Sequence, residues 1–133
     1  MIVLDEQLLG RDIEQEIAAW YRGAVQFITD LRPGTAIKDE AIPALLRQQR
    51  QPTFVTINER DFWRKVAIDR RFCVVCFAIS DARVKAIPPL LKQLLRHPDF
   101  RAKAKRMGSV IRLTEATASY YTWKNRHLRR LVF

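Results

Sequence analysis

The sequence contains few of the residues on which most enzyme motifs depend. It has only two histidines, two cysteines and four glycines in 133 residues. The glycine-rich GxxxxGK[ST] and GxGxxG loops are absent, and so is the GxSxG turn of serine hydrolases. Both histidines, His97 and His127, lie in basic stretches away from the acidic residues. These absences argue against P-loop proteins, dinucleotide-binding domains, serine hydrolases and histidine-ligated zinc enzymes.

Long hydrophobic segments are also missing. No apolar run approaches the roughly 18 residues that a membrane span needs. Asp5 and Glu6 interrupt the apolar start of the chain, so we expect no signal peptide. These features predict a cytoplasmic protein without a membrane partner. The length of 133 residues and the hydrophobic fraction of 48% predict a single compact domain, 1–133.

The two cysteines, Cys73 and Cys76, lie inside the apolar run CVVCFAI. A redox CxxC motif normally opens a helix, whereas this run is typical of a strand. Residues three apart on a strand face opposite sides, so the pair cannot easily form a disulfide or share a metal. We therefore predict two thiols buried in the core.

Charge is distributed unevenly along the chain. Residues 1–61 contain seven Lys and Arg against ten Asp and Glu, whereas residues 101–133 contain nine against one. This asymmetry suggests carboxylates gathered for a cation and a basic surface gathered for a polyanion, nucleic acid above all. Solubilising surface charge is the alternative. The predicted nucleic-acid-binding residues are Arg101, Lys103, Lys105, Arg106, Lys124, Arg126, Arg129 and Arg130.

Short apolar runs alternate with segments of helical periodicity. Strands are predicted at 2–4, 25–28, 53–57, 72–79, 110–113 and 119–123, the last two as a C-terminal hairpin or edge pair. Helices are predicted at 11–21, from Lys38 onward, at 62–67 and at 84–96, the firm part of the last beginning at Leu90. This alternation predicts an α/β fold with a mainly parallel sheet and a basic extension at 108–133.

Polar and acidic residues follow three of the predicted strands. Asp5 and Glu6 follow the first, Asp30 follows the second, and the segment 58–61 follows the third. The carboxyl ends of parallel strands meet at one edge of a sheet, where ligands collect. An ordinary helix cap at Asn58 and favourable helix-dipole placement of Asp39 and Glu40 are the simpler explanations.

If these segments converge, the site they form is rich in oxygen donors and lacks histidine. Such a donor set suits Mg²⁺ or Mn²⁺ and does not suit zinc. A carboxylate cluster with a divalent cation beside a basic surface is typical of phosphodiester hydrolysis. A different α/β enzyme acting on a small phosphate compound is a further alternative.

Four stretches carry a resemblance to a known family. They are VLDEQL at 3–8, ITDL at 28–31, KDEAIPALL at 38–46 and FVTINERDFW at 54–63. In this order they resemble the motifs of the PIN-like nuclease superfamily, in particular short bacterial proteins related to toxin-type PIN ribonucleases. The family patterns are V-D-E-N-L at the start, S-D-E-E-I at the helix start and V-T-x-D-x-D-F in the last motif.

The resemblance implies a three-layer α/β/α PIN-like domain and a Mg²⁺- or Mn²⁺-dependent endoribonuclease. Carried over by position, the catalytic residues would be Asp5, Asp39, Glu40 and Asp61. The metal ligands would be Asp5, Glu6, Asn58 and Asp61. RNA would be the substrate, and the relatives suggest an antitoxin-like protein partner and a homodimer.

The last motif departs from the family pattern. Asn58 stands where the first aspartate belongs, and Glu59-Arg60 lengthens the gap to Asp61 by one residue. Asparagine can offer a carbonyl ligand but adds no charge, so a weaker metal site is expected. The alternative prediction is a catalytically weak or inactive PIN-like protein that binds nucleic acid or a protein partner.

Overall fold

The fold is built around one seven-stranded sheet. The computed structural model describes residues 1–131. The strands are β1 (Ile2–Leu4), β2 (Val25–Phe27), β3 (Thr53–Thr56), β4 (Cys73–Phe77), β5 (Ser109–Leu113), β6 (Ala118–Thr122) and β7 (Arg129–Leu131). Their order across the sheet is β2-β1-β3-β4-β5-β6-β7. Strands β1 to β5 run parallel, and β6 and β7 extend the sheet antiparallel. The predicted α/β fold with a mainly parallel sheet is therefore confirmed.

Helices cover both faces of the sheet. They are α1 (Ile13–Ala18), α2 (Ile42–Arg47), α3 (Glu59–Phe62), α4 (Ile87–Arg96) and α5 (Lys103–Arg106), with 3₁₀ turns at Glu6–Leu8, Ile28–Leu31, Asp39–Ala41 and Asp81–Ala86. One core contains apolar side chains of α1 and α4, and a second core contains those of α2 and α3. Because both faces are covered, every residue of β1, β3 and β4 is buried.

The longest helix of the described residues, α4, begins at Ile87, within the predicted helix at 84–96 but before its predicted firm part. Its first turn contains Pro88 and Pro89, which fit there because the first-turn N–H groups have no intrahelical partner. The predicted firm part began only at Leu90. Its buried residues Ile87, Leu91, Leu94 and Leu95 form one apolar stripe. At ten residues α4 is too short to cross a bilayer, and no helix within residues 1–131 is long and apolar enough to do so.

Two further segments differ from prediction. The helix expected at 62–67 is the short α3, which begins at Glu59 because the Asn58 side chain accepts the Asp61 N–H and caps it. Strand β7 was not predicted, because only Leu131 of its three residues is buried while Arg129 and Arg130 are exposed. The last two residues of the predicted basic extension, 132 and 133, lie outside the described residues.

Both cysteines are core residues of β4. Cys73 and Cys76 are fully buried free thiols. They belong to the two different cores, one on each face of the sheet. Burial raises the pKa of the Cys73 thiol to about 12 and also raises the pKa of Cys76. The prediction of two structural thiols on opposite faces is confirmed.

Candidate functional site

The order in which successive strands are added to the sheet reverses at β1. The chain passes from β1 to its neighbour β2 and then returns to β3, which pairs with the other side of β1. In an open parallel sheet such a reversal leaves a crevice outside the carboxyl ends of the two central strands. Asp5 directly follows β1, and Asn58 lies two residues beyond the end of β3. The sequence-predicted acidic residues therefore lie at the place where this class of sheet binds ligands.

Asp5 is a buried carboxylate at this reversal. Its side chain is 4% exposed and accepts a hydrogen bond from the Thr56 hydroxyl at 2.6 Å. The same Thr56 oxygen accepts the backbone N–H of Asn58 at 2.9 Å. Burial raises the pKa of Asp5, and the nearby carboxylates of Asp39 and Glu6 act in the same direction. Within residues 1–131, no Lys or Arg side chain bonds this carboxylate.

Asn58 connects two further carboxylates that come from different segments. Its side-chain amide donates to Asp61 Oδ2 at 2.8 Å, with Asp39 Oδ2 at the limiting distance of 3.5 Å. Burial raises the pKa of Asp39, and the adjacent carboxylates of Asp61 and Glu40 raise it further. Asn58 therefore acts both as the predicted helix cap and as the link between the two acids. The Asp39 carboxylate raises the pKa of Asp5, and the Asp61 carboxylate raises the pKa of Asp39. These three acids therefore interact electrostatically although 56 positions in the sequence separate Asp5 from Asp61.

A cleft of about 450 Å³ opens beside these acids. Its polar lining consists of Asp39, Glu40, Asp61 and Lys65. Lys65 was not predicted from the sequence. The cleft thus presents three carboxylates and one ammonium group to solvent, an arrangement that can receive a cation together with an anionic group of a ligand.

The donor types at this edge suit a hard divalent cation. Carboxylate and amide oxygens are the ligands that Mg²⁺ and Mn²⁺ prefer. Among residues 1–131 the buried Asp5 carboxyl has a hydroxyl partner but no positive one, so either a proton, which its raised pKa favours, or a cation would offset its charge. In the part of the chain that the structure describes, no three His, Cys, Asp or Glu side chains stand close enough together to hold a metal ion as they lie. Closure around an ion would therefore need rotation of Glu6, Asp39 or Asp61, all of which are exposed.

Two acidic residues near the same edge have other partners. Asp30 Oδ2 accepts the backbone N–H of Phe27 at 2.9 Å and so caps its own 3₁₀ turn. Glu59, which the sequence groups with Asn58 and Asp61, forms an ion pair with Arg112 of β5. Asp30 and Glu59 therefore stabilise local structure, and they do not join the carboxylates that line the cleft.

The predicted nucleic-acid-binding residues lie in several parts of the fold, and two of them, Lys105 and Lys124, line one cavity. Arg101, Lys103 and Lys105 are exposed around α5, near the amino ends of the parallel strands. Arg106 is 2% exposed, and its Nε donates to the Thr53 hydroxyl at 2.8 Å. Arg106 is therefore part of the core at this edge, not part of an open basic face.

The other four predicted cations belong to the C-terminal segment that follows β6 and includes β7. Arg126 packs over the Tyr121 ring and donates to the Arg64 carbonyl at 3.3 Å, which brings it beside the segment that follows α3. Lys124 lies over the Trp123 ring. Arg129 and Arg130 are exposed on the edge strand β7. Of the eight predicted cations, Arg126 has a direct contact with the segment that carries Asp61 and Lys65.

The aromatic residues of β6 and its C-terminal end serve mainly in packing. Tyr121 is fully buried and its hydroxyl donates to the Trp63 carbonyl at 2.5 Å. Tyr120 makes an edge-to-face contact with Phe100. Trp123 is 42% exposed, so within this group it is the ring that solvent or a ligand can reach.

Two residues of the site escaped sequence reasoning, each for a different reason. Thr56 reads as an ordinary β-branched strand residue, and its role as donor to Asp5 depends on the register that places β3 beside β1. Lys65 follows α3 in a segment with four other cations, so nothing in the local pattern distinguishes it. Its position four residues after Asp61, the last acid of the segment 58–61, is the one signal that points to Lys65.

Comparisons of the chain with protein-family models, with curated proteins and with solved structures found no match.

Proposed function

We propose that this protein is a metal-dependent endoribonuclease of the PIN-like type. The observation that carries the proposal is the convergence of Asp5, Asp39 and Asp61, from three separate segments, at the reversal between β1 and β3. Isolated carboxylates on a stable surface are normally dispersed or paired with cations. Carboxylates that gather at a ligand-binding edge, with raised pKa values at Asp5 and Asp39, are typical of a functional site.

The assignment of this α/β fold to the PIN-like type is part of the same proposal. The helices on both faces of a mainly parallel sheet, with acids at its carboxyl edge, agree with a PIN-like domain over 1–133. The four stretches that resemble the family lie on β1 with its following turn, on the 3₁₀ turn that follows β2, on α2 with its preceding turn, and on β3 with α3. RNA as substrate, an antitoxin-like partner and a homodimer come with this assignment and remain proposals.

The divalent cation is the cofactor that the proposal requires. Bound Mg²⁺ or Mn²⁺ would lower the pKa of a water and offset charge on the scissile phosphate. Asp5 and Asp61 would be its principal ligands, with Glu6, Asp39, Glu40 and the Asn58 carbonyl oxygen as further donors.

Each neighbouring residue has a role that follows from its contacts. Thr56 fixes the orientation of the Asp5 carboxylate through a 2.6 Å hydrogen bond. Lys65 lines the same cleft as the acids and would bind a phosphate oxygen of the RNA backbone. Asn58 holds Asp61 in position through its amide and through the helix cap.

A second function has one specific observation in its favour. The Asn58 amide already donates to Asp61 and approaches Asp39, which partly satisfies those carboxylates without a metal. A PIN-like protein with that arrangement could bind RNA or a protein partner without cleaving RNA. Metal dependence of cleavage separates the two functions.

The experiment is cleavage of a fluorescently labelled single-stranded RNA with Mn²⁺, Mg²⁺ or EDTA. We expect cleavage with either ion and none with EDTA. Asp5→Asn and Asp61→Asn should each lower the rate at least about a hundredfold. Asp30→Asn is the matched control, because its carboxylate caps a turn outside the cleft, and it should keep the rate within about threefold of the unmodified chain.

Cleavage that survives both Asp5→Asn and Asp61→Asn would overturn the proposal. RNA binding without cleavage in any of these buffers would favour the second function instead.

A further inference from the structure

A second cavity lies at the opposite edge of the sheet from the carboxylate cleft. Its volume is about 320 Å³, which is within the range of small-ligand sites. Arg106, one of its lining residues, bonds Thr53, the first residue of β3, whereas the carboxylate cleft lies beyond the last residue of β3. Five cationic side chains line it: Lys92, Arg96, Arg101, Lys103 and Arg106. Over residues 1–131, no carboxylate is part of this lining.

Arg106 is the most unusual of these cations, because it is almost completely buried. Its Nη1 donates to the carbonyl oxygens of Phe100 and Arg101 at 3.0 and 3.3 Å, and its Nε donates to the Thr53 hydroxyl. These acceptors are all neutral. Buried charges in proteins are normally paired with an opposite charge. No carboxylate of the described chain bonds this guanidinium, so its positive charge is held rigidly at the cavity without being neutralised.

The other cations add to the same positive field. They come from two separate elements, Lys92 and Arg96 from α4 and Arg101 and Lys103 from the segment around α5. Like charges around one cavity repel each other, and an anion in the cavity removes that repulsion. A phosphate monoester, with a charge near −2 at neutral pH, matches such a set better than a singly charged phosphodiester.

One side of the cavity is aromatic. Trp20 and Tyr21 line it, with their rings in an edge-to-face arrangement at 6.2 Å, and Leu95 adds an apolar contact. Burial raises the pKa of Tyr21, an effect that Arg106 partly opposes, which locates the phenol hydroxyl beside the buried guanidinium. A ligand here would meet both cationic groups and flat aromatic groups.

We propose that this cavity binds a nucleoside monophosphate. Its phosphate would contact Arg106 together with Lys103 and Arg96, and its base would pack against Trp20 and Tyr21. The same chemical unit occurs as a free nucleotide and as the 5′-phosphorylated end of an RNA strand. The site is separate from the carboxylate cleft and does not rest on nuclease activity.

The test is isothermal titration calorimetry of the full chain with AMP, adenosine and inorganic phosphate. We expect AMP to bind at least tenfold more tightly than either of the other two, because only AMP carries both parts. Equal affinities for AMP and adenosine would overturn the proposal, and so would the absence of heat with millimolar AMP.

Surface variants locate the site without disturbing the core. Lys103→Gln and Arg96→Gln change exposed residues, and each should weaken AMP binding about tenfold. Lys105→Gln is the matched control: it is also exposed in α5, but it lines a different cavity beside Trp123, so it should leave AMP affinity unchanged. Equal losses in Lys103→Gln and Lys105→Gln would indicate general attraction to a basic protein and would overturn the site.

A further pair of ligands identifies the source of the nucleotide. A tetraribonucleotide with a 5′-phosphate should bind more tightly than its 5′-hydroxyl form, by at least tenfold. If it also exceeds AMP, the cavity takes RNA ends; if AMP matches it, the cavity takes free nucleotides. Indistinguishable binding of the 5′-phosphate and 5′-hydroxyl forms would contradict the proposal. The variant Asp5→Asn should behave as the unmodified chain in all of these titrations, which separates this site from the proposed nuclease centre.

Discussion

The side-chain amide of Asn58 donates a hydrogen bond to the carboxylate of Asp61 at 2.8 Å. The same amide group approaches Asp39 at 3.5 Å. An NH₂ group therefore stands between two carboxylates, in the kind of position that a divalent cation occupies in a metal site. This contact reduces the repulsion between Asp39 and Asp61, so in the proposed metal site Asn58 would influence how strongly the cleft attracts a cation.

The substitution Asn58→Asp tests this role. It replaces the amide donor by a third carboxylate, so without metal we expect the free energy of unfolding to fall by about 1 kcal/mol. With Mn²⁺ the added charge should increase the affinity about tenfold. Thermal unfolding with EDTA, and calorimetric titration with MnCl₂, measure the two effects.

Asn125→Asp is the matched control for that experiment. Asn125 lies in the turn after β6, where its side chain accepts the His127 N–H, and among the described residues it bonds none of the three carboxylates. The same chemical change there should leave Mn²⁺ affinity unaltered. An Asn58→Asp protein that binds Mn²⁺ no better than the unmodified chain would contradict the assignment.

The buried Asp5 carboxylate should reduce stability at neutral pH. Burial raises its pKa above the ordinary value of 3.8, so the folded chain holds this proton more tightly than the unfolded chain does. The resulting stabilisation is fully present below pH 3.8 and is lost as the pH rises through the higher pKa of the folded state. Asp5→Asn keeps an oxygen acceptor for Thr56 and cannot ionise. In metal-free buffer the variant should therefore be more stable than the unmodified chain at pH 7.

The pH dependence distinguishes this effect from ordinary repacking. The stability difference between Asp5→Asn and the unmodified chain should shrink as the pH is lowered from 7 towards 4, measured by urea unfolding at each pH. Thr56→Val is a useful companion, because it removes the hydroxyl donor to Asp5 and should lower stability most at pH 7. A pH-independent difference for Asp5→Asn would show that ionisation of this group does not matter.

Tyr121 links the C-terminal strands to the segment that carries the cleft residues. Its buried hydroxyl donates to the Trp63 carbonyl, and the Arg64 and Arg126 guanidinium groups lie over its ring at 4.6 and 4.7 Å. Tyr121→Phe should lower the free energy of unfolding by about 1 kcal/mol, because the partly buried Trp63 carbonyl loses its partner. Urea unfolding measures the loss.

Tyr120→Phe on the same strand is the comparison for Tyr121→Phe. Tyr120 is only partly buried, so loss of its hydroxyl should change stability by less than about 0.5 kcal/mol. Equal effects of the two substitutions would mean that the Tyr121 hydroxyl contributes nothing specific to the attachment of the segment after α3.

Most strands could be predicted because their buried residues form apolar runs in the sequence. β1, β3 and β4 are continuous apolar or β-branched runs, which is what a strand covered on both faces requires. β7 could not be predicted in this way, because Arg129 and Arg130 are exposed and its pairing with β6 depends on the completed sheet. The predicted helix at 62–67 began too late, although Asn58 was recognised as a possible cap, because the first turn of α3 consists of polar residues.

The sequence predicted which acids form the candidate site, but it did not predict the contacts that each acid makes. The positions of Asp5 and Asn58 after buried strands indicated one edge of the sheet, and the structure brings them there. The partners of each acid could not be read from the sequence, since they depend on contacts between distant segments. Asp30 turns back to cap its own turn, Glu59 pairs with Arg112, and Arg106 is buried although it lies in a basic stretch.

The most direct measurement of the central claim is the position of Mn²⁺ in crystals of the protein soaked in MnCl₂, located by anomalous diffraction. The account predicts one strong peak between the Asp5 and Asp61 carboxylates, with oxygen ligands at about 2.0–2.3 Å. The peak should disappear in crystals of Asp5→Asn. A map without a peak at this edge, with Asp5 still bonded to Thr56 and Asp61 still bonded to Asn58 at saturating Mn²⁺, would contradict it.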